Sequence, residues 1–312
     1  MGTRVVVVGA GVVGMTVAVR LAEAGHRVDV LARDLPLETT SVVAAALWYP
    51  YQARPQERVA AWAAEGYAAL ADLAAEPATG VRMSPGTEVL AAGTPDPWWA
   101  GAVPDLARTA PPAGWADAWS FTAPLVDMPV HLRWLRQRLD ELGGTLTRMA
   151  LAGLPQPEDG VVVNCSGIGA RRLVGETDVH PARGQVLLLE GVEVDRWWLD
   201  GAGSPVAPTY VVPRTDRVVV GGTFEEGEWS RTPSPGTAQA ILARATRLVP
   251  ALAGATVVAQ KVGLRPVRSE VRLERVGAVV HCYGHRGAGV TLAQGCASEV
   301  LGLVERAPVT RE

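Results

Sequence analysis

The sequence predicts an α/β fold of two intertwined units, and three observations carry that prediction. The first 34 residues read as strand, glycine turn, helix and strand. Further buried-strand signals recur at the centre and end of the chain. Between them lie short strands with the pattern of an antiparallel or mixed sheet, so a second, α+β unit must be made from insertions into the first. A length of 312 residues suits one large α/β domain or two such intertwined ones.

Arg4 to Val8 is a β-branched run, as a strand buried on both faces requires. Gly9-Ala10-Gly11-Val12-Val13-Gly14 follows at once, then a helix to about Ala24 that Gly25 stops. The next strand is Arg27 to Ala32, and Asp34 lies twenty residues beyond Gly14. This order is that of a Rossmann-type dinucleotide fold. The first glycine permits the tight turn, the second lets pyrophosphate approach the backbone, and the third lets helix pack on strand. Asp34 suits ribose hydroxyls, whereas Arg33 beside it suits a 2′-phosphate, so the turn leaves NAD, NADP and FAD open.

Helices are expected over Glu57 to Ala75, over a stretch carrying Leu132, Leu135, Leu139 and Leu142 on one face and ended by Gly143-Gly144, over Thr237 to Leu248, and from the last glycine loop to Val304. Strands are expected at Thr87 to Ala91, Thr145 to Met149, Val161 to Asn164, Gln185 to Glu190, Tyr210 to Pro213, Arg217 to Gly221 and Val279 to Cys282. Gly93 to Pro124, rich in proline, reads as loop.

Composition narrows the function. Hydrophobic residues make up 48% and charged residues 20%, which gives a real core. A net charge of -3 argues against nucleic acid as a partner. The longest apolar stretch, Val5 to Val19, is cut by glycines and too short to span a membrane. Cys165, Cys282 and Cys296 match no zinc spacing and suit a reducing cytoplasm, and the five histidines show no metal pattern, so no metal is expected.

Several segments in order resemble the FAD-dependent D-amino acid oxidase family. They are Val5 to Gly14, Thr40 to Trp48, Asn164-Cys165-Ser166-Gly167, Arg183-Gly184-Gln185 and Tyr210-Val211-Val212-Pro213. Gly221-Gly222-Thr223-Phe224, Gly263 to Arg268 and Tyr283 to Thr291 complete the set, and the last two are the most specific. The resemblance implies a discontinuous FAD-binding domain (1–50, 130–175 and 262–312) and a substrate domain (51–129 and 176–261) with a large mixed or antiparallel sheet. FAD would be held without a covalent bond by Gly9 to Gly14, Arg33, Asp34, Thr40, Ser41, Ala45, Ala46, Leu47, Met149, Ser166, Gly167, Gly263 and the run Arg286, Gly287, Ala288, Gly289, Val290 and Thr291. Amides of that run, at a helix N-terminus, would face the flavin and favour its anionic reduced form.

The implied reaction is oxidative deamination of a D-amino acid to a 2-oxo acid and ammonia, with hydride passing from Cα to flavin N5 and oxygen becoming hydrogen peroxide. The resemblance places the substrate carboxylate on Arg265, whose guanidinium can make two parallel hydrogen bonds. It places a second carboxylate contact on the Tyr210 hydroxyl and the amine on the Gly287 carbonyl. No protein base is needed, and His285 is expected to be structural. Leu47, Tyr49, Phe224 and Arg286 would line the side-chain pocket. Tyr49 stands where relatives often carry glutamine. Val206, four residues before Tyr210, stands where mammalian members carry a second tyrosine on a longer lid, which implies a more open site. Phe224 stands where D-aspartate oxidases tend to carry arginine, which implies neutral or apolar substrates because an unpaired buried carboxylate is costly. The alternatives are a glycine or sarcosine oxidase, a D-aspartate oxidase, an NAD(P)-dependent dehydrogenase and a nucleotide-binding protein without catalysis. The expected state is a cytoplasmic monomer or homodimer.

Overall fold

The computed structural model describes residues 2–156 and 160–306. In chain order its elements are β1 (Arg4–Val8), α1 (Val12–Glu23), β2 (Arg27–Ala32), α2 (Gln56–Leu73), β3 (Val81–Leu90), β4 (Ala107–Thr109), β5 (Asp117–Val126), α3 (Met128–Glu141), β6 (Thr145–Arg148) and β7 (Val161–Asn164). Then follow α4 (Ala170–Leu173), β8 (His180–Glu190), β9 (Trp197–Asp200), β10 (Thr209–Pro213), β11 (Val218–Gly221), β12 (Glu225–Glu226), α5 (Pro235–Leu248), β13 (Thr256–Val276), β14 (Val279–His285) and α6 (Gly289–Glu305). The strands form a single 14-stranded sheet.

One half of the sheet is parallel, in the order β14-β7-β1-β2-β6. Val5 to Val8 are buried because β1 sits between β7 and β2 with a layer on each face. Helix α1 ends because Gly25 adopts φ 85°. Its amide then reaches the Ala22 carbonyl (3.0 Å) while that of His26 reaches the Leu21 carbonyl (3.1 Å), which satisfies two of the helix's last carbonyls. Asp127 caps α3 through the Val130 amide, and the apolar stripe Leu132, Leu135 and Leu139 is buried as its spacing predicts.

The other half runs β4-β5-β3-β9-β10-β11-β8-β13 and is antiparallel except where β3 meets β9. Helix α5 covers one face with Ile241, Ala245 and Leu248 against Leu187, Leu189 and Val220, while Val186 and Leu188 of the same strand face the main core. Strand β13, 21 residues long, joins the halves. It pairs with β8 from Thr256 to Val267 and with β14 from Val267 to Val276. The sequence boundary at 261/262 therefore falls inside a shared strand, and that at 129/130 falls inside α3.

One expectation is corrected here, and one strand had not been expected at all. The Gly93–Pro124 stretch holds β4 and most of β5, where Trp119, Phe121 and Ala123 alternate into the core. Pro124 masks the signal, yet it pairs with Met83 inside the ladder. Strand β13 was hidden by Gly263, Pro266 and its charges, although Val271 and Leu273 alternate inward between Arg272 and Glu274. No helix among the described residues is long and apolar enough to cross a membrane.

Candidate active site

A cavity of about 980 Å³ extends from the C-terminal ends of β1 and β2 to the strands β8, β10 and β13. Its first end is the glycine turn. Gly9 has φ 113°, and a Cβ there would stand 2.5 Å from the Cys165 carbonyl oxygen. A Cβ on Gly14 would stand 2.0 Å from the Gly9 carbonyl oxygen, so only glycine lets α1 lie this close to β1. Gly11 faces Ser41, whose Oγ accepts the Val12 amide at 3.0 Å. Ala10, Val13, Ala45, Ala46, Leu47, Met149, Ser166, Gly167 and Gly263 also border the cavity. Thr40, which does too, donates its hydroxyl to the Leu264 carbonyl at 3.2 Å and so ties the N-terminal segment to β13.

Arg33 and Asp34 close this end. The Arg33 guanidinium donates to the Asp34 carboxylate, with Nη2 to Oδ2 at 2.6 Å, and holds its pKa below the ordinary carboxylate value. Arg33 is thus engaged by its neighbour. Arg231, from the stretch after β12, adds positive charge near Asp34, a contribution no sequence pattern announced.

The second end gathers Tyr210 from β10, Arg265 from β13 and Gly287 from the loop before α6. Arg265 Nη1 donates to the Thr223 carbonyl at 2.9 Å. It forms no ion pair with any acid among the described residues, unlike Arg183 with Glu225 (2.9 Å) or Arg286 with Glu226 (3.1 Å). The Tyr210 hydroxyl lies against this guanidinium, and burial raises its pKa, so it stays protonated at neutral pH. Glycines make both placements possible. A Cβ on Gly184 would meet Arg265 Nη1 at 2.1 Å, and one on Gly221 would meet Tyr210 Cζ at 2.1 Å. That is the physical content of the Arg-Gly-Gln and Gly-Gly-Thr segments.

Helix α6 opens on the cavity. Gly289 and Val290 line it, and the amides of a helix's first turn have no intrahelical partner. Thr291 Oγ1 accepts the Tyr49 amide and donates to the Tyr49 carbonyl, both at 3.0 Å, and so pins the Leu47–Tyr51 segment to this helix. Three expectations change here. The Arg286 amide is bonded to the Pro266 carbonyl and that of Ala288 to the His285 carbonyl, so neither is free to face a ligand. Ala288 is buried behind the wall. Phe224 is also behind it, packed with Ala182 and Val267, its ring 5.5 Å from the Arg265 guanidinium and 5.6 Å from that of Arg286. It supports both cations from below and does not line the pocket.

Two functional neighbours escaped sequence reasoning. Tyr51 lines the cavity beside Gly287 and donates its hydroxyl to the Pro205 carbonyl at 2.9 Å, tying down the loop between β9 and β10. Glu88 sits behind Tyr49, 2% exposed, and Oε1 accepts the Tyr49 hydroxyl at 2.8 Å. Burial, against the opposing effect of this bond, pushes the Glu88 pKa up to about 7. The alternation of β3 could have flagged an inward glutamate, but Glu88 had no visible partner.

A family model for FAD dependent oxidoreductases matches residues 4–302. D-amino-acid oxidase from Rubrobacter xylanophilus is 46% identical over 96% of this chain and 95% of its own length. The chain belongs to the D-amino acid oxidase family of FAD-dependent oxidoreductases. D-amino-acid oxidase from Streptomyces coelicolor is 44% identical over 95% of each chain, and human D-aspartate oxidase 34% over 96% of this chain and 94% of its own. The fold matches glycine oxidase from Geobacillus kaustophilus with a TM-score of 0.83 at 21% identity, covering 99% of this chain and 97% of that one. The residues fit FAD: the glycine cradle of a dinucleotide and Asp34 stand at one end, with the first-turn amides of α6 nearer the other.

Proposed function

We propose that the protein oxidises neutral or apolar D-amino acids to 2-oxo acids, releasing ammonia and hydrogen peroxide. The observation that carries this is Arg265, a cavity-facing guanidinium without an acidic partner among the described residues, next to the protonated Tyr210 hydroxyl. The pair is built for a carboxylate: the guanidinium supplies charge and a planar fork, the hydroxyl one further donor. The Gly287 carbonyl, on the same wall, accepts from the substrate amine. These contacts fix two substituents of Cα, its carboxylate and its amine, and the preference for the D-isomer is taken from the D-amino-acid oxidase relatives. FAD, held without a covalent link along the glycine turn, would supply the two-electron acceptor, with oxygen as the final oxidant. The chain's own contribution is position and field. His285 faces sulfur atoms, and Glu88 stands behind Tyr49, so neither is placed as a base toward the substrate.

Neutral side chains are favoured because the other arginine of the loop beside Gly287, Arg286, already has Glu226 at 3.1 Å. A D-aspartate-type activity would need that pair to open.

The test is the visible spectrum under anaerobic conditions. Flavin absorption that bleaches with D-methionine and not with L-methionine is expected. Bleaching by the L-isomer, or by glycine alone, would overturn the proposal.

A further inference from the structure

The three cysteines of the chain are far apart in sequence and match no ligand spacing, yet the fold collects all of them. Cys165 follows β7, Cys282 lies on β14, and Cys296 lies on α6 where it packs over β14. His285, at the end of β14, turns its ring into the same place. All four are buried.

The spacing is that of a metal site. His285 Nε2 is 3.5 Å from Cys296 Sγ and 4.0 Å from Cys282 Sγ. The ligand atoms of Cys282, His285 and Cys296 all lie within 4.8 Å of one another. Tetrahedral zinc, with Zn–S about 2.3 Å and Zn–N about 2.0–2.1 Å, needs separations of roughly 3.5 Å from N to S and roughly 3.8 Å from S to S. The observed distances need only small shifts. Cys165, likewise buried, borders the large cavity.

Charge selects the ion. A buried charge must be balanced. Two thiolates and a neutral imidazole carry two negative charges, which a divalent ion cancels. Soft sulfur ligands with one imidazole favour zinc over magnesium, calcium or manganese. Cys282 and His285 also border the large cavity, which gives an entry path. The two β14 ligands and the α6 ligand sit on or at the end of packed regular elements, so the site is largely preformed.

We propose that Cys282, His285 and Cys296 bind one zinc ion, or its thiophilic analogue cadmium, in the floor of the cavity. The site is independent of the reaction assigned above. The plain alternative is that thiols and imidazole pack against one another and hold nothing.

The experiment is a cadmium titration of the purified full-length protein after chelator treatment. Equilibrium dialysis counts the metal, and ultraviolet absorption reads thiolate-to-cadmium charge transfer. One ion per chain is expected, with a band of two cadmium–sulfur bonds or more, displaced by excess zinc. Cys282→Ser and Cys296→Ser should each weaken binding by on the order of a hundredfold or more, since even outer contacts of metal sites are worth about 10–100-fold. Cys165→Ser should keep one ion per chain. Flavin absorption and the thermal midpoint of each metal-free variant check the fold. Absence of the band in the wild-type protein overturns the proposal whatever the variants do. A band that survives in both Cys282→Ser and Cys296→Ser overturns it as well.

Discussion

Gly184→Ala, a substitution beside the proposed carboxylate anchor, should disable the site. A Cβ at this position would stand 2.1 Å from Arg265 Nη1, 2.5 Å from Cζ and 2.6 Å from Nη2. Non-bonded atoms settle at about 3.5–4.0 Å, so the guanidinium must retreat by more than ~1 Å. The backbone has no reason to move. Gly184 is paired with Gly263 in the β8–β13 ladder and does not use a positive φ, so alanine suits the strand. The displaced group is the far end of a flexible side chain. The protein should therefore fold and keep its flavin while its carboxylate contact is misplaced. A misplacement of about 1 Å can cost on the order of a hundredfold. The expected loss in kcat/KM for D-methionine is thus about a hundredfold, or roughly 2.7 kcal/mol. Oxygen consumption gives the rate constants, and flavin absorption and thermal melting check integrity. In an Arg265→Ala background the same change should have little further effect, because it acts through that side chain. Rates within threefold of wild type, or full additivity with Arg265→Ala, would refute the placement of Arg265 as the substrate anchor.

Other consequences follow from the same geometry. Tyr210→Phe should raise KM by about 10- to 100-fold with an unchanged thermal midpoint, since a hydrogen bond to a charged group is worth roughly 1.5–3 kcal/mol. Gly221→Ala should damage both activity and stability, the latter by about 1–3 kcal/mol, because the Cβ meets a rigid ring directly across the β10–β11 pair; an unchanged urea midpoint would count against this. Glu88 has its folded pKa raised from 4.5 to about 7, so its neutral form is the one the fold favours. The unfolded state then releases its proton first, and stability falls as pH rises from about 4.5 to 7, by an amount near 3 kcal/mol at one pKa unit per ~1.4 kcal/mol. Glu88→Gln should remove that slope in chemical denaturation followed across pH, and should leave the protein more stable at pH 8 than its parent. D-aspartate should show a kcat/KM well below that of D-valine or D-methionine, and Glu226→Gln, which frees Arg286, should narrow the gap in the same assay.

The parallel half was legible because its strands are uniform apolar runs bounded by glycine. Val5–Val8 and Val161–Asn164 can only be buried strands, and Gly25 can only be a stop. The antiparallel half was less legible where its strands carry proline and charge. Pro124 and Pro266 both lie inside ladders, and local propensity weighs against them until neighbouring strands compensate. Most of the residues named within motifs line the cavity. Phe224 was assigned to the wrong side of its wall, because a motif gives a position along the chain and not the face a side chain takes. The Arg286 amide was misjudged for a related reason, since its partner, the Pro266 carbonyl, comes from a strand distant in sequence, whereas that of Ala288 is taken by a local turn to the His285 carbonyl. Tyr51 and Glu88 carried no local signal at all, since each gains its meaning from a partner on another element, Pro205 for one and Tyr49 for the other.

The glycines opposite the two anchors change how such a site should be read. Arg265 and Tyr210 are held as much by what is missing beside them as by what touches them. Among the described residues Arg265 donates to the Thr223 carbonyl, lies against the Tyr210 hydroxyl and rests on the Phe224 ring. Its position is otherwise set by the absence of a Cβ at Gly184, as that of Tyr210 is by the absence of one at Gly221. The binding function is therefore written twice in the chain, once as a polar side chain and once as a glycine on the adjacent strand. A variant that keeps Arg265 and Tyr210 while filling either glycine position would look competent by its functional residues and yet present the wrong geometry. On the proposed function, Arg-Gly-Gln and Gly-Gly-Thr would belong to the substrate site even though their glycines carry no chemistry of their own, and the two anchors should tolerate substitution opposite them less well than substitution at the cavity rim.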